Sequence, residues 1–143
     1  MSEAPNSRLH QASCVAIERR GLLIEGPPGS GKSSLALALI DRGAELVGDD
    51  GVLLELRADG LWAHPAPATS GLIEVRNVGI LTLPVQPCPV SLVVRLDLGA
   101  PRYIEEAETV ALRGAALPLL RLFPDTPVLA LRAELALEHY GLR

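Results

Sequence analysis

The chain has 143 residues, 48% of them hydrophobic and 21% charged, which fits one globular domain spanning 1–143 and excludes a disordered chain. Its formal net charge is -4 and it has no run of Lys or Arg, so it carries no electrostatic footprint for nucleic acid. No apolar stretch reaches the length of a membrane span, so no membrane partner is expected.

Residues 1–8 read as a frayed, flexible terminus. Met1 to Ser7 lack the apolar core of a signal peptide, which makes the cytoplasm the expected location. Ser13 to Ile17 and Leu22 to Glu25 read as two strands of a hairpin, with the turn at Glu18-Arg19-Arg20-Gly21. With only 3% aromatic residues, the core has to be built from Leu, Val, Ile and Ala. Cys14 and Cys88 lie far apart, form no C-x-x-C and read as reduced thiols in apolar surroundings.

The second strand runs into Gly26-Pro27-Pro28-Gly29-Ser30-Gly31-Lys32-Ser33, which fits G-x-x-x-x-G-K-[ST], the phosphate-binding P-loop. Glycines there let backbone N–H groups turn toward a polyphosphate with no Cβ in the way, and the helix start adds partial positive charge at the same point. Lys32 can neutralise the β- and γ-phosphates of ATP, and the Ser33 hydroxyl can take a place on Mg²⁺. Ser34 follows directly, so the nucleotide contacts are expected along Gly26 to Ser34. The chain has one lysine among its 13 Lys and Arg residues, and that lysine is Lys32. A compact ammonium fits inside a ring of amides where a planar guanidinium does not.

The periodicity of Leu35, Leu39 and Ile40 predicts a helix from about Lys32 to Arg42, with Gly43 as its left-handed stop. A short apolar segment, Glu45 to Val47, leads into Gly48-Asp49-Asp50-Gly51. Two adjacent carboxylates beyond a strand are either a polar turn or, this close to a P-loop, part of its site.

Gly51 to Leu56 and Leu61 to Ala63 read as strands joined by a tight turn, and the proline-rich stretch His64 to Ser70 as a loop. Leu72 to Arg76 and Ile80 to Leu83 read as strands interrupted at Asn77-Val78-Gly79. Pro84 to Pro89 is predicted as loop, and Ser91 to Leu96, apolar at nearly every position, as a central strand buried on both faces. Glu108 to Leu112 reads as a strand and Leu117 to Leu122 as a short apolar stretch interrupted by Pro118. Asp125 or Thr126 is placed to cap a last helix with Pro127 at its first position, running to about Tyr140 and stopped by Gly141. The sum is a strand-rich α/β domain with a mixed sheet and two helices, fewer than a doubly wound sheet needs.

These motifs together resemble the catalytic domain of bacterial HPr kinase/phosphorylase. The similar features are Leu9-His10, the loop Gly26 to Ser33, Arg42-Gly43, the run Leu46-Val47-Gly48-Asp49-Asp50, and Glu74-Val75-Arg76-Asn77-Val78-Gly79-Ile80. The resemblance implies a P-loop fold like that of phosphoenolpyruvate carboxykinase. It also implies a Mg²⁺- and ATP-dependent kinase acting on a serine of the phosphocarrier HPr in phosphotransferase-system regulation, with inorganic phosphate driving the reverse reaction in full-length members. On the matching positions, Asp49 would be the base on the serine hydroxyl. Ser33, Asp50 and Glu74 would contact Mg²⁺, and His10 would sit near the phosphate. Arg76 would stabilise the transferring group or pair with a carboxylate.

The chain departs from the family at several points. The loop arrives at Gly26, which resembles the short form of alphaproteobacteria, and the family's N-terminal domain is therefore not expected. The loop interior is Pro27-Pro28-Gly29-Ser30, Ser34 stands where a Glu often follows, Asn77 replaces a Gly, and the segment Thr82 to Val90 is shortened. These departures bear on phosphorylase activity and on the family's homo-oligomeric assembly. Two other functions fit the loop: a small-metabolite kinase, against which stands the lack of an Arg-rich lid, and a module that senses ATP without transferring phosphate.

Overall fold

A computed structural model describes residues 7–143. The chain enters through strand β1 (Ser7–His10), so Ser7 and Arg8 of the expected frayed terminus are paired with Glu55 and Leu54, while residues 1–6 of that expectation lie outside the described residues. A two-residue loop joins β2 (Ser13–Ile17) to β3 (Arg20–Glu25), with Glu18 and Arg19 both at positive φ (50° and 66°). This is the backbone handedness that matches strand twist in tight hairpins. The turn is therefore shorter than Glu18 to Gly21. Gly21 lies inside β3, where a Cβ would stand 2.6 Å from the carbonyl oxygen of Pro89. Its role is close backbone approach rather than turning.

Helix α1 (Lys32–Asp41) ends as expected at Gly43, φ 111°. The Gly43 N–H donates to Ile40 O and the Ala44 N–H to Leu39 O, the paired bonds of a glycine-terminated helix. Then come β4 (Glu45–Gly48), β5 (Val52–Arg57) and β6 (Gly60–Pro65), followed by a 3₁₀ turn at Pro67–Thr69. Strands β7 (Leu72–Val75) and β8 (Gly79–Thr82) form a separate hairpin, with Asn77 at φ 70° in its turn. Asn accepts that conformation better than most residues, which explains how it stands at a position suited to Gly.

Strand β9 (Cys88–Leu96) begins earlier than the expected Ser91, because Cys88 and Pro89 pair with Ala63 and Trp62 of β6. Strands β10 (Glu108–Leu112) and β11 (Ala115–Leu122) follow. Pro118 is tolerated in β11 because its parallel register on β9 starts one residue later, at Leu119. Helix α2 (Leu129–Tyr140) starts two residues beyond Pro127. Thr126 instead turns the chain, its Oγ1 accepting from the Val128 N–H and its carbonyl from the Leu129 N–H.

The large sheet runs β1-β5-β6-β9-β3-β2-β4, with β11 also on β9 and β10 on β11. Only β3–β9 and β9–β11 are parallel among its pairs, so the sheet is mixed. Alternation along the central strands fills two cores. Leu22, Ile24, Leu92, Val94 and Leu96 pack under α1 and α2, against Leu35, Leu39, Ala133 and Leu137. Leu23 and Val93 point the other way, toward Val52, Leu54 and Leu61 of the β5–β6 hairpin. Cys14 and Cys88 lie in this second core as free thiols, and burial pushes both thiols up, Cys88 to about 11, which disfavours the reactive thiolate.

Gly141 closes α2 in an extended conformation (φ -68°, ψ 152°), not as the left-handed stop the sequence suggests. A Cβ there would lie 2.6 Å from Leu137 O and 2.8 Å from the Arg20 guanidinium, which itself donates to Leu137 O and Leu142 O. Gly141→Ala is therefore expected to cost about 1–3 kcal/mol by overpacking, read as a lower Tm. An unchanged Tm would show that the C-terminal turn yields to the methyl group.

Candidate functional site

The carboxyl ends of the parallel strands β3, β9 and β11 open onto a cleft of about 1710 Å³. This is where open α/β sheets present their ligand crevices. His10, the loop from Gly26 to Ser34, Asp49, Asp50, Glu74 and Arg76 all line it. The structure thus gathers into one cleft every residue that the sequence singles out.

The loop between β3 and α1 is shaped by its glycines. Gly29 (φ 77°) and Gly31 (φ 100°) take conformations that side chains disfavour, and nothing crowds either of them. At Gly26 a Cβ would fall 2.5 Å from Ser30 Oγ and 3.2 Å from Leu96 Cβ, so a side chain there would push Ser30 aside and crowd the end of β9. Gly31 starts α1 without any side-chain cap, which leaves the helix N-terminus to whatever lies in the loop. The Lys32 ammonium folds over the loop and donates to Gly26 O (2.9 Å) and Pro27 O (3.2 Å).

Asp49 is 5% exposed, and its Oδ1 accepts from Ser33 Oγ at 2.7 Å and Ser13 Oγ at 2.8 Å. Local folding explains this. A register shift between Cys14 and Val15 sets β4 on β2 so that Gly48 lies opposite Cys14, bringing Asp49 beside Ser13. Gly48 has no room for a Cβ, which would meet Gly51 O at 2.7 Å, so the chain doubles back at once. Asp49 Oδ2 makes no hydrogen bond with a described residue. Asp50, at φ 60°, turns outward and is exposed.

Glu74 and Arg76 come from the β7–β8 hairpin and are exposed. With Ser33, Ser34 and Asp41 they line a smaller cleft of about 570 Å³ on the flank of α1. Arg76 has no carboxylate partner among the described residues. Of the two roles open to it, pairing with a carboxylate is therefore not the one the structure displays.

Glu25, Arg95, Asp97, Arg121 and Asp125 are further charged side chains at the cleft that were not singled out as site residues in the sequence. Glu25 Oε2 lies 2.7 Å from His10 Nε2, and its Oε1 accepts from Arg95 Nη2 at 2.7 Å and Nε at 3.1 Å. Burial works against the Glu25 charge, but the hydrogen bonds from His10 and Arg95 outweigh it and hold the carboxyl below its ordinary value. Across the sheet, Arg121 reaches Asp97 (3.1 Å) and Glu108 (2.8 Å). The available signal was Arg95, a charge inside an otherwise apolar run that reads as buried on both faces.

No group of three or more His, Cys, Asp and Glu among the described residues is clustered to hold a metal by itself. Mg²⁺ does not need such a cage, since it is held by one or two protein oxygens together with substrate phosphates and water. Ser33 Oγ and the carboxylates of Asp50 and Glu74 are hard oxygen donors around the same cleft, and they fit that mode.

Fold and cleft together define the class: a strand-rich, mixed-sheet α/β domain with a glycine-rich strand-to-helix loop at the carboxyl ends of its parallel strands. The sequence model described as "HPr Serine kinase C-terminal domain" matches residues 2–85, and the chain belongs to that family. It is 44% identical over 82 residues to the HPr kinase/phosphorylase of Clostridium novyi, a match covering 57% of this chain and 26% of that protein. It is 46% identical over 68 residues to the Streptococcus thermophilus HPr kinase/phosphorylase, covering 47% and 22%. The matches thus span about a quarter of the length of these curated relatives. The solved Hpr(Ser) kinase/phosphatase of Coxiella burnetii is similar over 92% of this chain and 90% of its own, with a TM-score of 0.78 and 28% identity.

Proposed function

We propose that this chain transfers the γ-phosphoryl group of Mg-ATP to a serine of an HPr-type phosphocarrier. The observation that carries the reading is the Ser33–Asp49 contact at the mouth of the Gly26–Ser33 loop. It sets a buried carboxylate beside the place where a polyphosphate would lie. Family membership and the names of the relatives support the same reading.

In this reading the loop amides and the open start of α1 bind the phosphates, and Lys32 exchanges its carbonyl partners for phosphate oxygens. Mg²⁺ would be held by Ser33 with Asp50 or Glu74, and when bound it neutralises charge on the transferring phosphates. Ser33 can serve a metal through a lone pair while its hydroxyl hydrogen, still on Oγ, is donated to Asp49 Oδ1. Two hydroxyls hold that oxygen, so Oδ2 is left to take the proton of the acceptor serine. The serine oxygen bonds to the γ-phosphorus, the bond to the bridging oxygen breaks, and ADP leaves. Arg76, on the exposed hairpin, would meet the charge on the transferring group.

The test is transfer of label from Mg-ATP to purified HPr-type carriers, with a Ser→Ala carrier as control and excess chelator as a second arm. Label is expected only on the carrier with its serine, and only with Mg²⁺. Tight ATP binding with no labelled carrier would favour the sensing module instead.

A further inference from the structure

The group least accounted for at the cleft is Glu25. It directly precedes the loop, and its side chain is 13% exposed. The β3–β9 register sets it opposite Arg95, and its two oxygens face different partners, His10 on one side and Arg95 on the other. A carboxylate held charged can only accept, and a guanidinium can only donate. The nitrogen of His10 that faces Glu25 must therefore carry a hydrogen. The other ring nitrogen, Nδ1, makes no hydrogen bond with a described residue and is left for the occupant of the cleft that His10 lines.

We infer that Glu25 is a positioning residue that fixes the tautomer of His10, keeping the hydrogen on Nε2 and Nδ1 as the acceptor, with Arg95 locking the carboxylate in place. The arrangement follows the logic of a base oriented by a buried acid. It fixes ring and tautomer together, because the carboxylate is itself held from its far side. The charged groups that line the cleft with the pair are Lys32 at the start of α1, Asp49 and Asp50 before β5, Glu74 and Arg76 on the β7–β8 hairpin, Arg95 and Asp97 at the end of β9, Arg121 on β11, and Asp125. A place for His10 beside the transferring phosphate rests on the kinase reading proposed above, but the tautomer does not.

Glu25→Gln makes the assignment testable because it keeps the shape. Arg95 accepts nothing, so the Gln oxygen must face Arg95 and its NH₂ must face His10. Nε2 then becomes an acceptor and the hydrogen moves to Nδ1, the wrong-tautomer outcome known when a triad Asp becomes Asn. The experiment is ¹⁵N NMR of the histidine-labelled full chain at about pH 8.5, above the ordinary imidazole range, with His10→Gln identifying the resonance. The wild type and an Arg95→Lys variant, which keeps a donor beside Glu25, should show Nε2–H, and Glu25→Gln should show Nδ1–H. In the transfer assay Glu25→Gln should lower kcat about tenfold or more, as expected when a group beside the phosphates loses its orientation, with KM for ATP unchanged. The same tautomer in wild type and Glu25→Gln overturns the assignment, and a switched tautomer with kcat unchanged overturns a part for His10 in transfer. A wild-type chain that labels no carrier would refute the kinase reading alone, because the tautomer comparison still decides the role of Glu25.

Discussion

Lys32→Ala is expected to raise the Kd for Mg-ATP about 100-fold in calorimetry while leaving the fold intact. The side chain is in neither core, and its hydrogen bonds among the described residues are two, to carbonyls of its own loop. Removing it frees Gly26 O and Pro27 O to bind water, so little stability is at stake. What is lost is the single compact cation inside the loop. Each hydrogen bond from a charged group is worth about 1.5–3 kcal/mol, and one or two of them account for that factor. Lys32→Arg should not restore affinity, because a planar fork on a longer stem does not fit a ring of amides. Unchanged ATP affinity in Lys32→Ala would remove the loop from the binding site.

Asp49→Asn should bind Mg-ATP with near wild-type affinity and lose roughly 10²–10⁴ in transfer rate, the range expected for a lost general base. The substitution is mild for the fold. Asp49 Oδ1 only accepts, from Ser13 and Ser33, and an Asn carbonyl oxygen can accept both bonds. The other half of the side chain then becomes an NH₂, which cannot take a proton from the acceptor serine. Transfer should fall while Tm and ATP binding hold. A wild-type rate would reduce Asp49 to a structural anchor for the turn at Gly48 to Gly51.

Much of the frame was legible because local chemistry dictated it. The Gly43 stop, the hairpin interrupted at Asn77 and the doubly buried run before Leu96 follow from residue types and periodicity alone. Other features depend on contacts between segments distant in sequence. Gly21 looked like a turn residue, but it is small because Pro89 passes behind it. Pro89 looked like loop, yet it pairs at the start of β9 opposite Trp62. Gly141 was read as a handedness signal when its reason is the nearness of Leu137 O and Arg20. At the cleft, Asp49 was visible from its neighbours in the chain. Ser13 as its second donor was not, since the pairing of β2 with β4 decides it. Glu25 and Arg95 are 70 residues apart and meet only through the β3–β9 register.

That register also constrains the order in which the protein can be assembled. Strand β3 obtains one neighbour at once, from the hairpin with β2, but its other edge waits for residues 90–95. Strand β9 serves three partners, β3, β6 and β11, so it joins the hairpin of β5 and β6 to the helix-covered layer. Until it emerges from the ribosome, the loop at Gly26 has no Leu96 beneath it, and the open edge of β3 stays exposed to stray strand pairing. The stretch matched by the family's sequence model ends at residue 85, before this strand begins. A nascent chain can therefore hold the whole recognisable motif and still lack the element that closes it, which makes late, long-range closure the slow and vulnerable stage of its folding.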